Sequence, residues 1–206
     1  MELFYYHTTI GRIGIVEKNG KISNLYFATD QPPQGVRLFE TPLLKNAAQQ
    51  LHSYLEGSLQ EFLLPLAPEG TDFMQRIWEA LGEIPYGETA SYKDIAIAAG
   101  SPKAARAAGM ANNRNPLPIF IPCHRVIGAS GKLVGYRGGL ALKQKLLKIE
   151  GLSFRSESGV AGCSGERDYI ADILHTAQIH DQSFEPEAKP GVRCGTPASC
   201  VEIPLQ

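Results

Sequence analysis

The spacing of apolar residues changes at a proline-containing break, and this change is the strongest constraint on the fold. The break covers residues 64–70 and contains Pro65, Pro68 and Gly70. Short runs before it alternate apolar and polar residues, which is typical of strands, whereas most segments after it have helical spacing. We therefore expect a mixed α/β protein of the α+β class, with one domain at residues 1–70 and a second at residues 71–154.

The first domain is predicted to contain a small antiparallel sheet followed by one helix. Strands are expected at residues 4–9, 12–17 and 21–27. Asn19-Gly20 supplies the pair of positive-φ residues that a tight hairpin needs between the last two strands. Thr41 then caps a helix that has Pro42 in its first turn and stops near Gly57. Its apolar stripe consists of Leu44, Ala48, Leu51 and Leu55.

The second domain is predicted to begin with one helix and to continue with two short helices joined by a Gly-Ser turn. Asp72 caps the helix that begins this domain, and the apolar face of that helix carries Phe73, Ile77, Trp78 and Leu81. The next helix follows Ser91, spans residues 92–99 and is closed by Gly100. Ser101 caps the last one, with Pro102 at its first position, and it runs to about Ala111. The pair indicates a helix-turn-helix, although many helix pairs only pack together in a core.

The composition of the last helix limits how it could read DNA. Small residues such as Ala105, Ala107 and Gly109 surround one long donor, Arg106, with Lys103 near the start. A helix that reads the major groove needs several Arg, Asn or Gln side chains, and this one lacks them. A smooth helix can instead approach a narrow groove and insert a single Arg into the base stack, with little sequence preference. Close packing against a neighbouring helix would explain the same composition.

The charge of the chain is distributed unevenly, although its net value is only -1. Residues 76–154 carry eleven basic and five acidic side chains, whereas the flanking segments 1–75 and 155–206 are both acidic. A polyanion is therefore possible as a partner of the middle segment, and a solvated basic face is the alternative. No apolar run is long enough for a membrane span, and the start lacks a basic flank, so we expect a cytoplasmic protein with no membrane partner.

A cysteine stands beside a histidine in an otherwise apolar run, residues 121–127. Cysteine is nucleophilic as the thiolate, so a neighbouring base makes it reactive, whereas an isolated buried cysteine is only a small core residue. Adjacent side chains seldom point the same way, so Cys123 and His124 would communicate through a water molecule or a short turn. Taken alone, the pair fits a hydrolase or a metal site equally well.

The surroundings of this pair resemble a known family. Residues 119–126, Ile-Phe-Ile-Pro-Cys-His-Arg-Val, are similar to the active-site signature of the methylated-DNA--protein-cysteine methyltransferases, or O6-alkylguanine-DNA alkyltransferases. The resemblance extends from about residue 73 to residue 151. It includes Tyr86-Gly87-Glu88-Thr89, Ser91-Tyr92, residues 102–106, Asn115-Pro116 and Gly139-Leu140-Ala141. It implies a small ribonuclease H-like domain at residues 1–70 and a DNA-binding, catalytic domain with a helix-turn-helix at residues 71–154.

The resemblance also implies roles for individual residues in a single-turnover DNA repair reaction. Cys123 would accept the alkyl group of O6-alkylguanine, and O4-alkylthymine is a second candidate substrate. His124 would remove the thiol proton of Cys123 through a water, and Glu150 would orient that histidine. Tyr92 would donate a proton toward guanine N3. The DNA-contacting set would be Arg106, which fills the gap left by the flipped nucleotide, with Lys103, Ala105, Ala107, Gly109 and the bracing Asn115. The base pocket would comprise Tyr136, Pro118, the carbonyls of Cys123 and Val126, and the amide of Arg137.

The reactants and the alternatives follow from the same resemblance. We expect a monomer that acts on double-stranded DNA without a cofactor or a metal. The alternative is an alkyltransferase-like protein that binds the lesion without transfer, but such relatives lack the acceptor that Cys123 provides. A regulatory DNA-binding module would need a marked sequence preference, which the smooth helix disfavours.

Two departures from the family pattern and an unmatched tail complete the predictions. Arg137 replaces a small hydroxyl residue of some members, and Asn112 and Asn113 occupy a pocket rim that can be apolar. Residues 1–70 contain no cysteine, which argues against a structural zinc there. Residues 155–206 are acidic and proline-containing, and we expect them to be irregular apart from a short helix at residues 166–179. A metal site is the alternative for their Cys163, Cys194, Cys200, His175 and His180, although the cysteine spacings do not match a CxxC pair.

Overall fold

The computed structural model of the protein describes residues 1–154, so the predictions for residues 155–206 lie outside the described part. The chain begins with a four-stranded sheet of order β3-β2-β1-β4. Its strands are β1 Glu2–Thr8, β2 Gly11–Lys18, β3 Lys21–Tyr26 and the short β4 Arg37–Leu38. The hairpin between β2 and β3 is confirmed, because Asn19 and Gly20 have φ angles of 53° and 73°. The mixture of helices and strands confirms the α+β class.

The helix after the sheet, α1 Pro42–Leu55, begins as the sequence predicts. The Thr41 hydroxyl accepts a hydrogen bond from the Leu44 amide at 3.1 Å, which satisfies one of the free amides at the helix start. The predicted apolar stripe of α1 is buried. The buried face of the helix also includes Tyr54, which the prediction did not contain. Tyr54 is fully buried and points its hydroxyl beyond the sheet, toward the second half of the chain.

The proline-containing break runs along the outer edge of the sheet. Ile22 of β3 donates its amide to Pro65 O at 2.8 Å and accepts from the Ala67 amide at 2.9 Å. Farther along β3, the Leu25 amide donates to Pro116 O at 2.8 Å. One apolar core then continues from the sheet and α1 into the helices that follow. The segments before and after the break therefore share one core.

The next helix, α2 Asp72–Gly82, starts one residue differently from the prediction. Thr71, not Asp72, is the capping residue: its backbone is extended, and its hydroxyl accepts from the Met74 amide. Asp72 occupies the first helical position, where its negative charge faces the positive end of the helix dipole. The buried Trp78 of α2 donates its indole N–H to Ala111 O at 3.0 Å and so fixes a later helix.

That later helix is α4 Ala105–Asn113, which follows α3 Tyr92–Ala98. The start of α3 is as predicted, because Ser91 and Asp94 form a capping box. The prediction that Ser101 caps α4 is wrong. The Ala104 amide donates to Ser101 O at 2.9 Å, so residues 101–104 form a turn, and no side chain from residues 1–154 caps α4. Proline fits the second position of such a turn as well as the first position of a helix. Lys103 therefore lies in the turn rather than on the helix.

The last described elements surround the Cys-His pair. A single-turn 3-10 helix, Cys123–Arg125, leads into β6 Val126–Ile127, which pairs in parallel with β5 Ala90–Ser91. The final helix, α5 Leu140–Ile149, ends at Glu150, its C-cap residue. No helix within residues 1–154 is long and apolar enough to cross a membrane.

Candidate active site

The loop before Cys123 is held by Asn115. Its side-chain amide donates to Ile121 O at 2.9 Å, and its side-chain oxygen accepts from the Leu117 amide at 2.9 Å. Within this loop Ile119 has a φ of 76°, a left-handed conformation that a β-branched residue adopts only at a cost of about 1–3 kcal/mol. The two bonds of the buried Asn115 offset this strain and fix the approach of the chain to Cys123.

Cys123 lies at the start of the 3-10 helix and is only 3% exposed. Burial raises the pKa of its thiol, although a hydrogen bond with the Asn115 side chain and the charges of Lys143 and Arg137 oppose the shift. The resting form is therefore the thiol. Because the thiolate is the nucleophile, a reaction at this sulfur needs a base nearby.

His124 is fully buried, and its two ring nitrogens have different surroundings. Nε2 lies 2.9 Å from Glu150 Oε1 and 3.0 Å from the Tyr54 hydroxyl. Nδ1 is buried as well, but no group within residues 1–154 forms a hydrogen bond with it. A proton on Nε2 fits the carboxylate, so Nδ1 carries the lone pair. Burial lowers the pKa of His124, which keeps the ring neutral and able to accept a proton at Nδ1.

Glu150 is the anionic centre of this group. Its carboxylate accepts from Arg125 Nε at 3.0 and 3.2 Å, from Arg125 Nη2 at 3.0 Å and from the Gly87 amide at 3.2 Å. Burial alone would raise its pKa, but hydrogen bonds from His124 and Arg125 outweigh that effect and lower the pKa to about 2. A carboxylate is unfavourable at the carboxyl end of a helix, and these partners explain why it is tolerated there.

Three buried residues of the site escaped the sequence analysis: Tyr54, Arg125 and Lys143. Tyr54 looks like one more member of an apolar helix stripe, and nothing local distinguishes it. Arg125 did give a signal, because a charged residue inside an apolar run needs a buried partner. Lys143 is fully buried and donates to Val126 O at 2.5 Å and Val134 O at 2.8 Å. Burial lowers its pKa to about 8, and its charge lies close enough to favour a Cys123 thiolate.

Two tyrosines face Cys123 from other directions. Tyr92 is the first residue of α3, and its ring contacts α4, since a Cβ on Gly109 would lie 3.5 Å from it. The Tyr136 ring centroid is 6.5 Å from that of His124, and its hydroxyl is buried without a hydrogen-bond partner in the described part of the chain. Burial, followed by the nearby Cys123, raises the pKa of both phenols, so each keeps its proton.

The remaining predicted pocket residues are placed as follows. Pro118 is buried and pairs with Ile121, while Val126 O and Cys123 O already accept from Lys143 and from the Val126 amide. The Arg137 side chain is bonded to groups other than the thiol, although its charge acts on Cys123. It donates to Leu25 O at 2.7 Å and to Asn115 O at 3.3 Å, and it forms an ion pair with Asp30 at 3.3 Å.

Among the predicted DNA-contacting residues, Asn115 is hydrogen-bonded to the Cys123 thiol, whereas those on α4 and in the turn before it form no hydrogen bond with the Cys-His-Glu group in the described structure. Lys103, Arg106 and Ala107 are exposed, whereas Ala105 and Gly109 are half-buried. Asn115 belongs to both sets, because it follows α4 and also supports the loop that leads to Cys123. No cluster of three metal-ligating side chains occurs within residues 1–154.

The arrangement provides the parts of a proton relay to a buried thiol. A neutral imidazole offers a lone pair, an ionised carboxylate orients it, and two protonated phenols can donate hydrogen bonds beside the sulfur. Because Cys123 is buried, a reactant must enter the protein to meet its sulfur.

Comparisons with known sequences identify similar proteins. The family model described as 6-O-methylguanine DNA methyltransferase, DNA binding domain, matches residues 72–152. The chain is 60% identical over 106 residues to a methylated-DNA--protein-cysteine methyltransferase of Methanosarcina barkeri, covering 52% of this chain and 67% of the relative. It is 45% identical over 163 residues to the constitutive protein of that name from Bacillus subtilis, covering 74% of this chain and 99% of the relative.

Solved structures agree with the sequence comparison. The crystal structure of Mycobacterium tuberculosis OGT in complex with DNA superimposes with a TM-score of 0.69 at 43% identity, covering 73% of this chain and 92% of that one. The O6-methylguanine methyltransferase of the same organism gives a TM-score of 0.66 at 44% identity, with coverages of 72% and 92%.

Proposed function

The chain belongs to the methylated-DNA--protein-cysteine methyltransferase family, and on this basis we propose that it repairs DNA by moving the alkyl group of O6-alkylguanine onto Cys123. One observation carries the assignment of the acceptor. Cys123 is a buried thiol, and the buried Nδ1 of its neighbour His124 has no hydrogen-bond partner within residues 1–154, while Nε2 is held by an ionised Glu150. This pair gives the thiol a base at the place where an alkyl acceptor needs one.

The reaction balances without a cofactor. Nδ1 of His124 takes the thiol proton through a water, and the Cys123 sulfur attacks the alkyl carbon. The bond between that carbon and guanine O6 breaks, and its electron pair leaves with the base. Tyr92 donates a proton toward guanine N3 and regains one from the relay, so the net change moves one proton from sulfur to guanine. The thioether is stable, so each molecule reacts once.

Access to the base requires that the nucleotide leave the duplex. We propose that α3 and α4 act as a helix-turn-helix in the minor groove and that Arg106 fills the gap left by the flipped nucleotide. The exposure of Arg106, Lys103 and Ala107 supports this role, and the small residues of α4 allow its backbone to come close to the DNA. The OGT of Mycobacterium tuberculosis was crystallised with DNA, which also favours DNA as the partner.

The guanine pocket would be built mainly from backbone groups. A carbonyl oxygen has two lone pairs, so Cys123 O and Val126 O can each accept from the guanine 2-amino group in addition to their present donors. Tyr136 and Pro118 would form the walls. The Arg137 side chain is tied to Asp30 and Leu25, so its backbone amide, rather than its side chain, would face O6. The ribonuclease H-like assignment of residues 1–70 is part of the same proposal.

Mass spectrometry tests the proposal directly. We expect the full chain, incubated with an O6-methylguanine duplex, to gain one methyl group on the peptide that contains Cys123, with an equal loss of methylated guanine from the DNA. Cys123→Ala should bind the duplex and gain nothing. Transfer by Cys123→Ala, or wild-type binding without any mass gain, would refute the assignment, and the second result would identify a lesion-binding protein.

A further inference from the structure

One hydroxyl inside the site has no role in the reaction described above. Tyr54 belongs to α1, and its hydroxyl contacts two residues far along the chain, Glu150 and His124. The distance to Glu150 Oε1 is 2.5 Å, and the distance to His124 Nε2 is 3.0 Å. The ring is fully buried, and its centroid lies 5.1 Å from that of Phe62 and 6.3 Å from that of Tyr86.

The apolar surroundings could be filled by phenylalanine, so packing does not explain the hydroxyl. A buried hydroxyl costs free energy unless it is hydrogen-bonded, and within the described part of the chain this one bonds only to members of the relay. Its position therefore needs an explanation in terms of the relay itself.

The protons of the three groups can be assigned from their chemistry. A carboxylate only accepts, so the single proton of the Tyr54 hydroxyl goes to Glu150 Oε1. The Tyr54 oxygen can then only accept from His124, which requires the proton of the neutral imidazole to sit on Nε2, where Tyr54 and Glu150 Oε1 share it. The lone pair is left on Nδ1, the nitrogen with which no group within residues 1–154 forms a hydrogen bond.

The two contacts act on His124 in opposite directions, and their lengths indicate which one dominates. Donation to Glu150 withdraws negative charge from the oxygen that faces Nε2, which makes an imidazolium less favourable. Acceptance from Nε2 makes it more favourable. The first contact involves an ionised group, and its 2.5 Å is the length of a charge-assisted O–H···O bond, so it is the stronger of the two.

We propose that Tyr54 is a positioning residue of the relay: by sharing the charge of Glu150, its hydroxyl keeps His124 a neutral base that can accept the Cys123 proton. The inference rests on the proposed function. A residue of α1, which precedes the proline-containing break, would then influence the chemistry of Cys123 and His124, which follow the break.

Other charged and titratable groups around His124 come from several elements. The 3-10 helix contributes Cys123 and Arg125, α5 and its cap contribute Lys143 and Glu150, and Tyr136 faces the ring from the preceding loop. None of them changes when only the Tyr54 hydroxyl is removed. The difference between wild type and Tyr54→Phe therefore isolates the contribution of that hydroxyl.

The first measurement needs no DNA. The ring resonances of His124 in the isotope-labelled full chain are followed by NMR as the pH is lowered. We expect Tyr54→Phe to raise the proton affinity of His124 roughly tenfold, about one unit of pKa, because one charge-assisted hydrogen bond no longer competes for Glu150. The matched control is Tyr86→Phe, whose hydroxyl donates to Ile149 O and not to the relay. It should leave the His124 titration unchanged.

The second measurement is the single-turnover rate of methyl transfer as a function of pH. In the pH range where His124 is protonated in Tyr54→Phe but not in wild type, we expect the rate of the variant to be about tenfold lower. At higher pH its rate should stay within about threefold of wild type. Affinity for the methylated duplex should not change. A packing defect would instead lower the rate at every pH and leave the titration of His124 in place.

The outcomes separate this inference from the proposed function. An unchanged or lowered proton affinity of His124 in Tyr54→Phe, in a variant with a wild-type circular dichroism spectrum, overturns the role of Tyr54. A wild-type protein that gains no methyl group on Cys123 overturns the proposed function, whatever the titration gives. A raised proton affinity together with a shifted pH profile supports both.

Discussion

Replacing Glu150 by glutamine tests the electrostatics of the site most severely. Five donor hydrogens converge on its two oxygens: one each from Tyr54, His124 and Gly87, and two from Arg125. A glutamine side chain has nearly the same shape, but it replaces one oxygen with an amino group that cannot accept. At least one donor would then face another donor, and the buried Arg125 would lose its counter-charge.

Two lines of reasoning give the same magnitude. Removing one partner of a buried ion pair costs about 3–5 kcal/mol of folding free energy. The pKa of Glu150 lies at about 2 instead of 4.5, and this difference corresponds to about 3 kcal/mol. Because the folded pKa is the lower one, the contribution is present above about pH 4.5 and is lost as the pH falls toward 2. The gap between wild type and Glu150→Gln should therefore be about 3 kcal/mol at pH 7 and should shrink by pH 3.

Urea unfolding followed by the fluorescence of Trp78 measures this gap. Trp78 is the single tryptophan of the chain and is buried, so its emission reports exposure of the core. Glu83→Gln is the matched control, since Glu83 is an exposed residue at the end of α2, and its effect should stay below about 0.5 kcal/mol. A loss under about 1 kcal/mol at pH 7 for Glu150→Gln, or a loss that does not vary with pH, would refute the reasoning.

Three further predictions concern single side chains. The folded pKa of Lys143, about 8, lies below the unfolded value of 10.5, so wild type should gain stability between pH 8 and 10.5, and Lys143→Met should not. Unfolding at pH 7.5 and 10 measures this gain, which should be up to about 3 kcal/mol larger in wild type than in the variant. Arg106→Ala should weaken duplex binding about tenfold in a fluorescence titration while changing stability by less than about 0.5 kcal/mol. An unchanged affinity would argue against insertion of Arg106 into the gap left by the flipped nucleotide. Asn115→Ala should destabilise the fold by about 2–3 kcal/mol and slow methyl transfer, since it frees two buried backbone groups beside the strained Ile119; stability within 1 kcal/mol of wild type would contradict this.

The elements that the sequence predicts well are those with local causes. The Asn19-Gly20 hairpin and the Ser91 capping box depend on residues that are neighbours along the chain. The two wrong caps also have local reasons. Thr71 and Asp72 are adjacent candidates for one helix start, and Ser101-Pro102 suits a turn as well as a helix.

The missed parts of the site depend on contacts between distant residues. Tyr54 and Glu150 are 96 positions apart, so no local pattern on α1 distinguishes a relay tyrosine from a core tyrosine. The buried Arg125 finds its carboxylate 25 positions away. For Lys143, the acceptors are backbone carbonyls, which any sequence would supply. Burial of these polar groups is decided by the packing of α1 and α5 around the 3-10 helix, and only the structure displays it.

The hydrogen bonds along the outer edge of β3 have a consequence for synthesis of the chain. Among the described residues, β3 has one neighbouring strand in the sheet, and its other side is occupied by residues 65–67 and by Pro116. During translation β3 is complete long before those residues leave the ribosome. Its free amides and carbonyls are open to pairing with other chains in that interval, which is a recognised route to aggregation. Products truncated before residue 64 keep that edge open permanently, whereas the full chain closes it with its own later residues.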